Sequence, residues 1–254
     1  MRILLSNDDG IHAQGIQVLY DTLSTIATVT VVAPMEEKSA TGQTLTLDHP
    51  VRITKVKKDF YGINGFPADC TLIGILEIME NKPDLVVSGI NRGANLGQDI
   101  YYSGTVAAAR QAVFHDIPAI AVSSVIDARP NQVDDINYST AADFVKKMIE
   151  LNLHKEIIPM SLLNINVPNL SNDQIEGNVV TRLGFRQYSE TVEKRVDNRE
   201  RENFWIGGHL LSHSKEPGTD CYVVDNRQIS INPLNLLGDS AEEVIKWTEI
   251  FSGI

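Results

Sequence analysis

Two adjacent aspartates near the start of the chain are the first residues whose type and position could support chemistry. Asp8 and Asp9 follow the apolar residues 3–5 and precede Gly10. Like charges this close repel each other and lose hydration beside an apolar strand, so either bulk water or a bound cation must compensate them. Two carboxylates with neutral oxygens suit a hard cation such as Mg²⁺, Mn²⁺ or Ca²⁺. The sequence therefore indicates a metal site, with an ordinary Asn-Asp-Asp-Gly turn as the alternative.

Neutral oxygen ligands for such a cation could come from two later polar segments. Ser39 follows a second apolar run at residues 29–33, and Asn91 follows a third at residues 85–87. Ligands of open α/β sheets bind outside the carboxyl ends of the strands, so these segments are expected to meet the aspartates at one edge. Each of the two residues is also typical of a loop cap. Asn95 could bind the metal or face a substrate, and spacing does not rank it against Asn91.

Ser103, Gly104 and Thr105 open a segment with a helical pattern, which adds a further polar group near the same edge. Serine is a good N-cap and glycine permits close backbone approach, while the free amides and the dipole of a helix N-terminus attract phosphate. An ordinary capped helix is the alternative. The sequence contains neither a Gly-x-Gly-x-x-Gly dinucleotide fingerprint nor a P-loop, and it has no Gly-x-Ser-x-Gly nucleophile elbow.

Length, charge and residue usage limit the class of protein. The chain of 254 residues is 43% hydrophobic, enough for one large domain, and its formal net charge of −11 opposes binding to duplex nucleic acid or to anionic membranes. No apolar run approaches the roughly 20 residues of a membrane span. Two distant cysteines, Cys70 and Cys221, and six histidines without ligand spacing disfavour a disulfide framework and a zinc site. We therefore expect a soluble cytoplasmic protein without a signal peptide.

Apolar runs alternate with helical patterns, which is typical of an α/β fold with a mostly parallel, doubly wound sheet. Further strands are predicted at residues 117–122, 162–167 and 228–231, and helices at residues 67–80, 104–115, 139–151 and 241–251. The spacing of Ile16, Leu19 and Leu23 predicts the first helix, shortly after the aspartates.

Two segments depart from this alternation. Residues 44–47 and 51–54 alternate in polarity, which predicts two antiparallel strands inserted as a hairpin. Residues 190–203 are dense in charge, which predicts an exposed, extended C-terminal arm. The expected organisation is a single domain over residues 1–254, with a core over about residues 1–168 and the arm and a closing helix over about residues 169–254.

Taken together, the motifs resemble the SurE (survival protein E) family of nucleotidases. The resemblance rests on Ile-Leu-Leu-Ser-Asn-Asp-Asp-Gly-Ile, Val-Val-Ala-Pro with Lys-Ser-Ala-Thr-Gly, Pro-Ala-Asp-Cys, Val-Val-Ser-Gly-Ile-Asn-Arg-Gly and Tyr-Ser-Gly-Thr-Val-Ala-Ala-Ala. These motifs occur in the order of the family from the first residue to about residue 124. Weaker similarity continues at residues 164–168 and 229–234, so the resemblance spans nearly the whole chain.

The resemblance implies a single SurE-like domain with a Rossmann-like core. It implies a divalent-metal phosphatase that hydrolyses nucleoside 5′- and 3′-monophosphates and also short-chain polyphosphate, with one Mg²⁺ or Mn²⁺ per subunit and Asp8 and Asp9 as catalytic residues. The metal ligands that it implies are Asp8, Asp9, Ser39 and Asn91. The phosphate-binding residues that it implies are Asn95, Ser103, Gly104 and Thr105. It also implies a homodimer or homotetramer formed through an exchanged C-terminal arm.

Two positions depart from the family pattern. Ala94 stands where the family has the proline of Gly-Pro-Asn, which loosens the loop and keeps the asparagine. Phe66 replaces the threonine of Gly-Thr-Pro-Ala-Asp-Cys. If that position lines the pocket, its bulky ring would alter the preference for the nucleobase.

Three alternatives stay open from the sequence. The attacking group could be a water molecule, which is favoured, or one of the aspartates. On the same fold the chain could be a non-catalytic nucleotide-binding or oxidoreductase module, although the dinucleotide fingerprint is missing. It could also be an interaction protein built around the charged arm, which predicts that function survives removal of the aspartates.

Overall fold

Strands and helices alternate along the chain, as the sequence predicts. A computed structural model describes residues 1–126, 136–189, 191–238 and 240–252, which form six α-helices and thirteen strands. The helices are α1 (Gln14–Leu23), α2 (Pro67–Ile73), α3 (Gly104–Val113), α4 (Ser139–Glu150), α5 (Asp220–Asp225) and α6 (Ala241–Phe251). The strands are β1 (Arg2–Ser6), β2 (Thr28–Pro34), β3 (Ile53–Lys57), β4 (Phe60–Ile63), β5 (Leu85–Arg92), β6 (Ala119–Val125), β7 (Ser161–Pro168), β8 (Asn178–Val180), β9 (Arg186–Tyr188), β10 (Thr191–Val196), β11 (Glu202–Gly207), β12 (Leu210–His213) and β13 (Ile229–Asn235).

Nine of the strands build one central sheet with the order β3-β4-β2-β1-β5-β6-β7-β13-β8. From β4 to β7 every neighbouring pair is parallel, whereas β3 and β13 run antiparallel to β4 and β7. The chain moves outward from β1 in both directions, so the predicted doubly wound, mostly parallel sheet is confirmed. Two strands of this sheet, β8 and β13, come from beyond residue 168.

The sheet is covered on both faces, which explains why its strands are almost continuously apolar. Alternate side chains of β1 point to opposite faces, so Ile3 and Leu5 pack in one buried cluster and Leu4 in the other. Helices α1 and α4 supply the first cluster, while α2 and α3 supply the second.

Several predicted boundaries differ from the structure, most clearly those of β5, β6 and the helix predicted at residues 67–80. Strand β5 does not end at Val87 but continues to Arg92, because the polar residues after Val87 still pair with β6 beyond a register shift. Strand β6 begins at Ala119, directly after Pro118, which lacks the backbone N–H that a strand donates. The helix predicted over residues 67–80 is α-helical only to Ile73 and continues as a π-helical turn.

An inserted hairpin is present, but β3 and β4 form it, so the predicted pairing of residues 44–47 with residues 51–54 is wrong. Strand β3 pairs antiparallel with β4, whereas residues 44–47 form no strand. Instead, the backbone N–H and hydroxyl of Thr46 donate to the carboxylate of Asp69, at 2.9 and 2.6 Å. Leu47 is 88% exposed, so no apolar face holds this segment against a partner strand.

The charged part of the chain after β9 projects from the sheet. Strands β10 and β11 form an antiparallel hairpin in which every residue is exposed, as expected for an arm. Glu190, the first residue of the predicted arm, lies outside the described residues. Helix α6 occupies the predicted residues, and in the described part of the chain no helix is long and apolar enough to cross a membrane.

Candidate metal and phosphate site

A cavity of about 1410 Å³ opens at the carboxyl ends of the central strands. Six of the eight residues predicted for the site line it, and these are Asp8, Asp9, Ser39, Asn91, Asn95 and Ser103. The other two, Gly104 and Thr105, contact Asp8 from the start of α3. The segments that follow β1 and β2, the end of β5 and the start of α3 therefore meet in one place.

The loop after β1 is held as a turn by Asn7. Its side-chain Nδ2 donates to the carbonyl oxygen of Gly10 at 2.9 Å, and its Oδ1 accepts the Gly10 N–H at 3.2 Å. Gly10 has a φ of +101°, a conformation that a residue with a side chain rarely adopts. Asn7 and Gly10 thus form the turn by themselves, which leaves the carboxylates of Asp8 and Asp9 available for another role.

Asp8 is packed against the N-terminus of α3. Its side chain accepts a hydrogen bond from the Thr105 hydroxyl, and only 5% of the residue is exposed. A Cβ atom added to Gly104 would lie 2.7 Å from the Asp8 Cβ, so a glycine is required for this approach. Burial raises the pKa of Asp8, and the hydrogen bond from Thr105 opposes that rise.

Asp9 is the second acidic group of the site. Partial burial and the neighbouring charge of Asp8 raise the pKa of Asp9 to about 6. The Arg92 backbone N–H donates to its Oδ2 at 3.0 Å, which fixes the carboxylate beside the end of β5. Two carboxylates with raised pKa values share one cavity, and a cation between them would relieve both effects.

Asn91 and Ser39 present neutral oxygens to the same cavity. The register of β5 against β6 shifts between Ser88 and Asn91, and such an irregularity re-aims a side chain at the end of a strand. The Asn91 Nδ2 donates to the Gly93 carbonyl oxygen at 2.9 Å, so Oδ1 is the atom of this amide that can bind a cation. The Ser39 hydroxyl donates to Oε1 of Glu37 at 2.6 Å.

Glu37 is a cavity residue that the sequence analysis did not single out. Its charge contributes to the raised pKa values of Asp8 and Asp9. Its position in the polar segment after β2 could have identified it from the sequence, because such segments lie at the carboxyl edge of the sheet, where ligands bind.

Asn95 and Ser103 line the cavity between these carboxylates and α3. The Asn95 side chain donates from Nδ2 to the Ser123 hydroxyl at 2.8 Å and is nearly buried. The Ser103 hydroxyl accepts the Val106 N–H at 3.0 Å, so the predicted N-cap is present. The capped helix and a phosphate-binding role remain compatible, since the cap occupies only one of the free amides.

A second group of cavity residues lies on the wall built by β9. Arg186 Nη1 pairs with Asp99 Oδ2 at 2.6 Å, and the Tyr188 hydroxyl donates to the same carboxylate. Burial and this hydrogen bond raise the pKa of Tyr188 above its usual value. Arg186 and Asp99 are 87 residues apart, so no local pattern in the sequence could have joined them.

The donor set fits a hard cation. Asp8, Asp9, Ser39 and Asn91 offer only oxygen atoms to a ligand in the cavity, which is the chemistry that Mg²⁺ and Mn²⁺ prefer. Among the described residues, no group of three or more His, Cys, Asp or Glu side chains is arranged to hold a metal. A cation here would therefore depend on two carboxylates supplemented by neutral oxygens.

Comparison with known proteins identifies the family. A family model described as Survival protein SurE matches residues 3–190. The chain belongs to the SurE family. It is 45% identical over 236 residues to the 5′-nucleotidase SurE of Geotalea uraniireducens, covering 93% of both chains. It is 42% identical over 253 residues to the 5′-nucleotidase SurE of Geotalea daltonii, covering 99% of this chain and 100% of that protein.

The fold agrees with that of a solved SurE protein. The crystal structure of the SurE protein from Aquifex aeolicus superimposes with a TM-score of 0.82 at 38% identity, covering 99% of this chain and 100% of that one. Of the two departures from the SurE pattern, Phe66 is not among the residues that line the cavity. Its ring instead lies 5.8 Å from the Lys38 ammonium group, measured to the ring centroid.

Proposed function

We propose that this chain is a metal-dependent 5′-nucleotidase, a phosphomonoesterase that releases phosphate from nucleoside 5′-monophosphates. The proposal extends to nucleoside 3′-monophosphates and short-chain polyphosphate as further substrates. One observation carries it: the nearly buried carboxylate of Asp8 sits against the N-terminus of α3 and shares its cavity with Asp9. Relatives at 45% and 42% identity over nearly the full length bear the name 5′-nucleotidase, which gives no support to a non-catalytic binding module.

In the proposed site, Asp8, Asp9, Ser39 and Asn91 would hold one Mg²⁺ or Mn²⁺. Bound there, such an ion polarises a phosphoryl oxygen and acidifies water. Besides the metal, phosphoryl transfer requires that the protein position the substrate and stabilise charge, and groups with fixed orientation do both.

The chain's own groups then have distinct proposed roles. Asn95, Ser103 and the first amides of α3, at Gly104 and Thr105, would bind phosphoryl oxygens, since helix N-termini favour anions. The Thr105 hydroxyl keeps the carboxylate of Asp8 in one orientation. Water is the proposed nucleophile, because that hydrogen bond and the close backbone of Gly104 leave Asp8 little freedom to attack a phosphorus atom.

We further propose a homodimer or homotetramer that exchanges the C-terminal arm, in the cytoplasm. This proposal is supported by large apolar side chains that are exposed to solvent. Phe204, Trp205 and Ile206 are exposed in the β10–β11 hairpin, and Trp247 and Phe251 are exposed on α6. Exposed patches of this kind mark association surfaces. Both cysteines are free and buried, which suits a reducing compartment.

The decisive experiment measures phosphate release from a panel of nucleoside monophosphates with Mg²⁺, Mn²⁺ or EDTA. Asp8→Asn is expected to lose most of the metal-dependent activity, on the order of 10²-fold or more, because it removes a metal-binding charge from the reaction centre. Asp21→Asn, which removes an exposed carboxylate on α1, is the matched control and should retain full activity. Turnover by Asp8→Asn at saturating metal would contradict the mechanism, and no release by wild type with any metal would favour a binding module.

A further inference from the structure

Two asparagines of β7 form hydrogen bonds with the main chain of Asn95. The side-chain amide of Asn166 accepts the Asn95 N–H at its Oδ1 and donates from Nδ2 to the Asn95 carbonyl, at 2.8 and 2.9 Å. The Asn164 Nδ2 donates to the same carbonyl oxygen at 2.9 Å. Asn166 therefore pairs with Asn95 as a neighbouring strand would, although β6 separates β5 from β7 in the sheet.

Both asparagines occupy positions where β7 would otherwise be apolar. Asn164 and Asn166 are completely buried, and Leu162, two residues earlier on the same face, belongs to an apolar cluster. A buried amide without hydrogen-bond partners destabilises the folded state, so such side chains are expected only where they bind something. The Oδ1 atom of Asn164 has no hydrogen-bond partner among the described residues, so the contact that its amide makes there is the bond from Nδ2 to the Asn95 carbonyl.

These bonds determine which atoms of Asn95 can face a ligand. Its backbone N–H and carbonyl are engaged by β7, and one hydrogen of its Nδ2 goes to the Ser123 hydroxyl of β6. The side-chain Oδ1 and the second Nδ2 hydrogen are then the polar groups that Asn95 can offer to the cavity that it lines.

We propose that Asn164 and Asn166 are positioning residues that hold Asn95 in place for contact with the transferred phosphoryl group. This inference rests on the proposed function, in which Asn95 binds phosphate. The two side chains touch no ligand themselves, and their effect on the reaction passes through Asn95 alone.

The test compares three alanine variants. Asn166→Ala removes two bonds to Asn95, and Asn164→Ala removes one of two donors to the same carbonyl. Asn232→Ala is the matched control: Asn232 is 2% exposed, lies opposite Asn164 on β13, and donates to Thr181 instead. If Asn166→Ala does not fold, Asn164→Ala keeps the test decisive.

The expected results separate positioning from general support of the fold. Asn166→Ala should lower kcat/KM by about 10²-fold, the scale for a small misplacement of a binding group, and Asn164→Ala by less. Both should weaken inhibition by inorganic phosphate, while the Mn²⁺ affinity from calorimetry stays within about twofold, since the proposed metal ligands lie on other segments. Asn232→Ala should keep the wild-type kcat/KM even if its melting temperature falls as far as that of the other two variants.

A double-mutant cycle decides whether the effect passes through Asn95. In an Asn95→Ala background, Asn166→Ala should change kcat/KM by less than about threefold, because groups that act as one unit are not additive. Effects that multiply in the double variant, or an equal loss in Asn232→Ala, would overturn the inference. If the wild type is active, Asp8→Asn is inactive and Asn95→Ala is fully active, this inference alone is overturned. If the wild type is inactive, the proposed function is overturned and this inference with it.

Discussion

At the scale of single residues, the opening aspartates have two neighbours that explain how they are tolerated. Asn7 forms the turn that the motif suggests, and Thr105 satisfies part of the Asp8 carboxylate from a helix almost a hundred residues away. The turn and the metal site were alternatives in the sequence, yet the structure makes them compatible. Burial still raises the pKa of both carboxylates, and the charge of Asp8 adds to the rise in the pKa of Asp9.

The raised pKa of Asp9, caused by burial and by the charge of Asp8, predicts an unusual pH dependence of stability for metal-free protein. The pKa of Asp9 is about 6 when folded and 3.8 as a model value, so between these pH values the folded state binds more protons than the unfolded state. The free energy of unfolding in EDTA should therefore decrease as pH rises from about 4 to 7, by up to roughly 3 kcal/mol from Asp9. Urea unfolding at both pH values measures it.

Asp9→Asn should remove this contribution, because the amide does not titrate. At pH 7 in EDTA the variant is expected to be more stable than wild type, while Asp21→Asn, on exposed helix surface, should follow wild type. A wild-type stability that increases over this pH range would contradict the assignment.

At the scale of elements, the site depends on α3 meeting the loop after β1. Polar segments after apolar runs were enough to predict six of the residues that line the cavity, because parallel strands place their carboxyl ends at one edge. The contact between Gly104 and Asp8 was not predictable, since it depends on how closely a helix packs rather than on spacing. Residues 44–47 alternate like a strand, but Thr46 hydrogen-bonds to the side chain of Asp69 instead, a tertiary contact that spacing also does not predict.

The packing of α3 predicts the effect of a single methyl group. Gly104→Ala would place its Cβ 2.7 Å from the Cβ of Asp8 and 3.0 Å from Pro67, so the aspartate must move. We expect phosphatase activity to fall at least about 10-fold, because a binding group in the site is displaced. Helix stability should change little, because alanine has a higher helix propensity than glycine. Phosphate release and thermal unfolding, measured together, check this.

Gly207→Ala is the control for this substitution. Its added Cβ would meet only Thr191 at an ordinary distance of 3.6 Å on the exposed hairpin. Activity close to wild type is expected there. Equal activity of the two alanine variants would mean that the contact between α3 and Asp8 is unimportant for catalysis.

At the scale of the whole molecule, the part of the chain after residue 168 contributes to both the sheet and the cavity. Strands β8 and β13 extend the sheet, and β9 supplies the wall with Arg186 and Tyr188. The sequence predicted an exposed arm from charge density, and the β10–β11 hairpin agrees with it. It could not show that neighbouring residues line the cavity, because that depends on contacts such as Arg186 with Asp99.

The exposed face of α6 predicts self-association. Val244, Trp247 and Phe251 recur at helical spacing and are each at least half exposed. Trp247→Glu should shift the protein to a smaller species in sedimentation velocity, since a charge in an apolar interface is costly. Glu249→Lys, at an exposed position that helical spacing places away from these three residues, should leave the sedimentation unchanged. A wild-type monomer would contradict the proposed assembly.

The position of β13 has a consequence for how the chain is made. Strand β13 pairs with β7 but is translated more than sixty residues after it, so on the ribosome β7 is for several seconds an unprotected edge, at elongation rates of about 5–20 residues per second. Its free N–H and C=O groups can pair with other nascent chains during that interval. Slow codons between β7 and β13 would lengthen this exposure, so the rate of synthesis over residues 169–228 is expected to affect the yield of soluble protein.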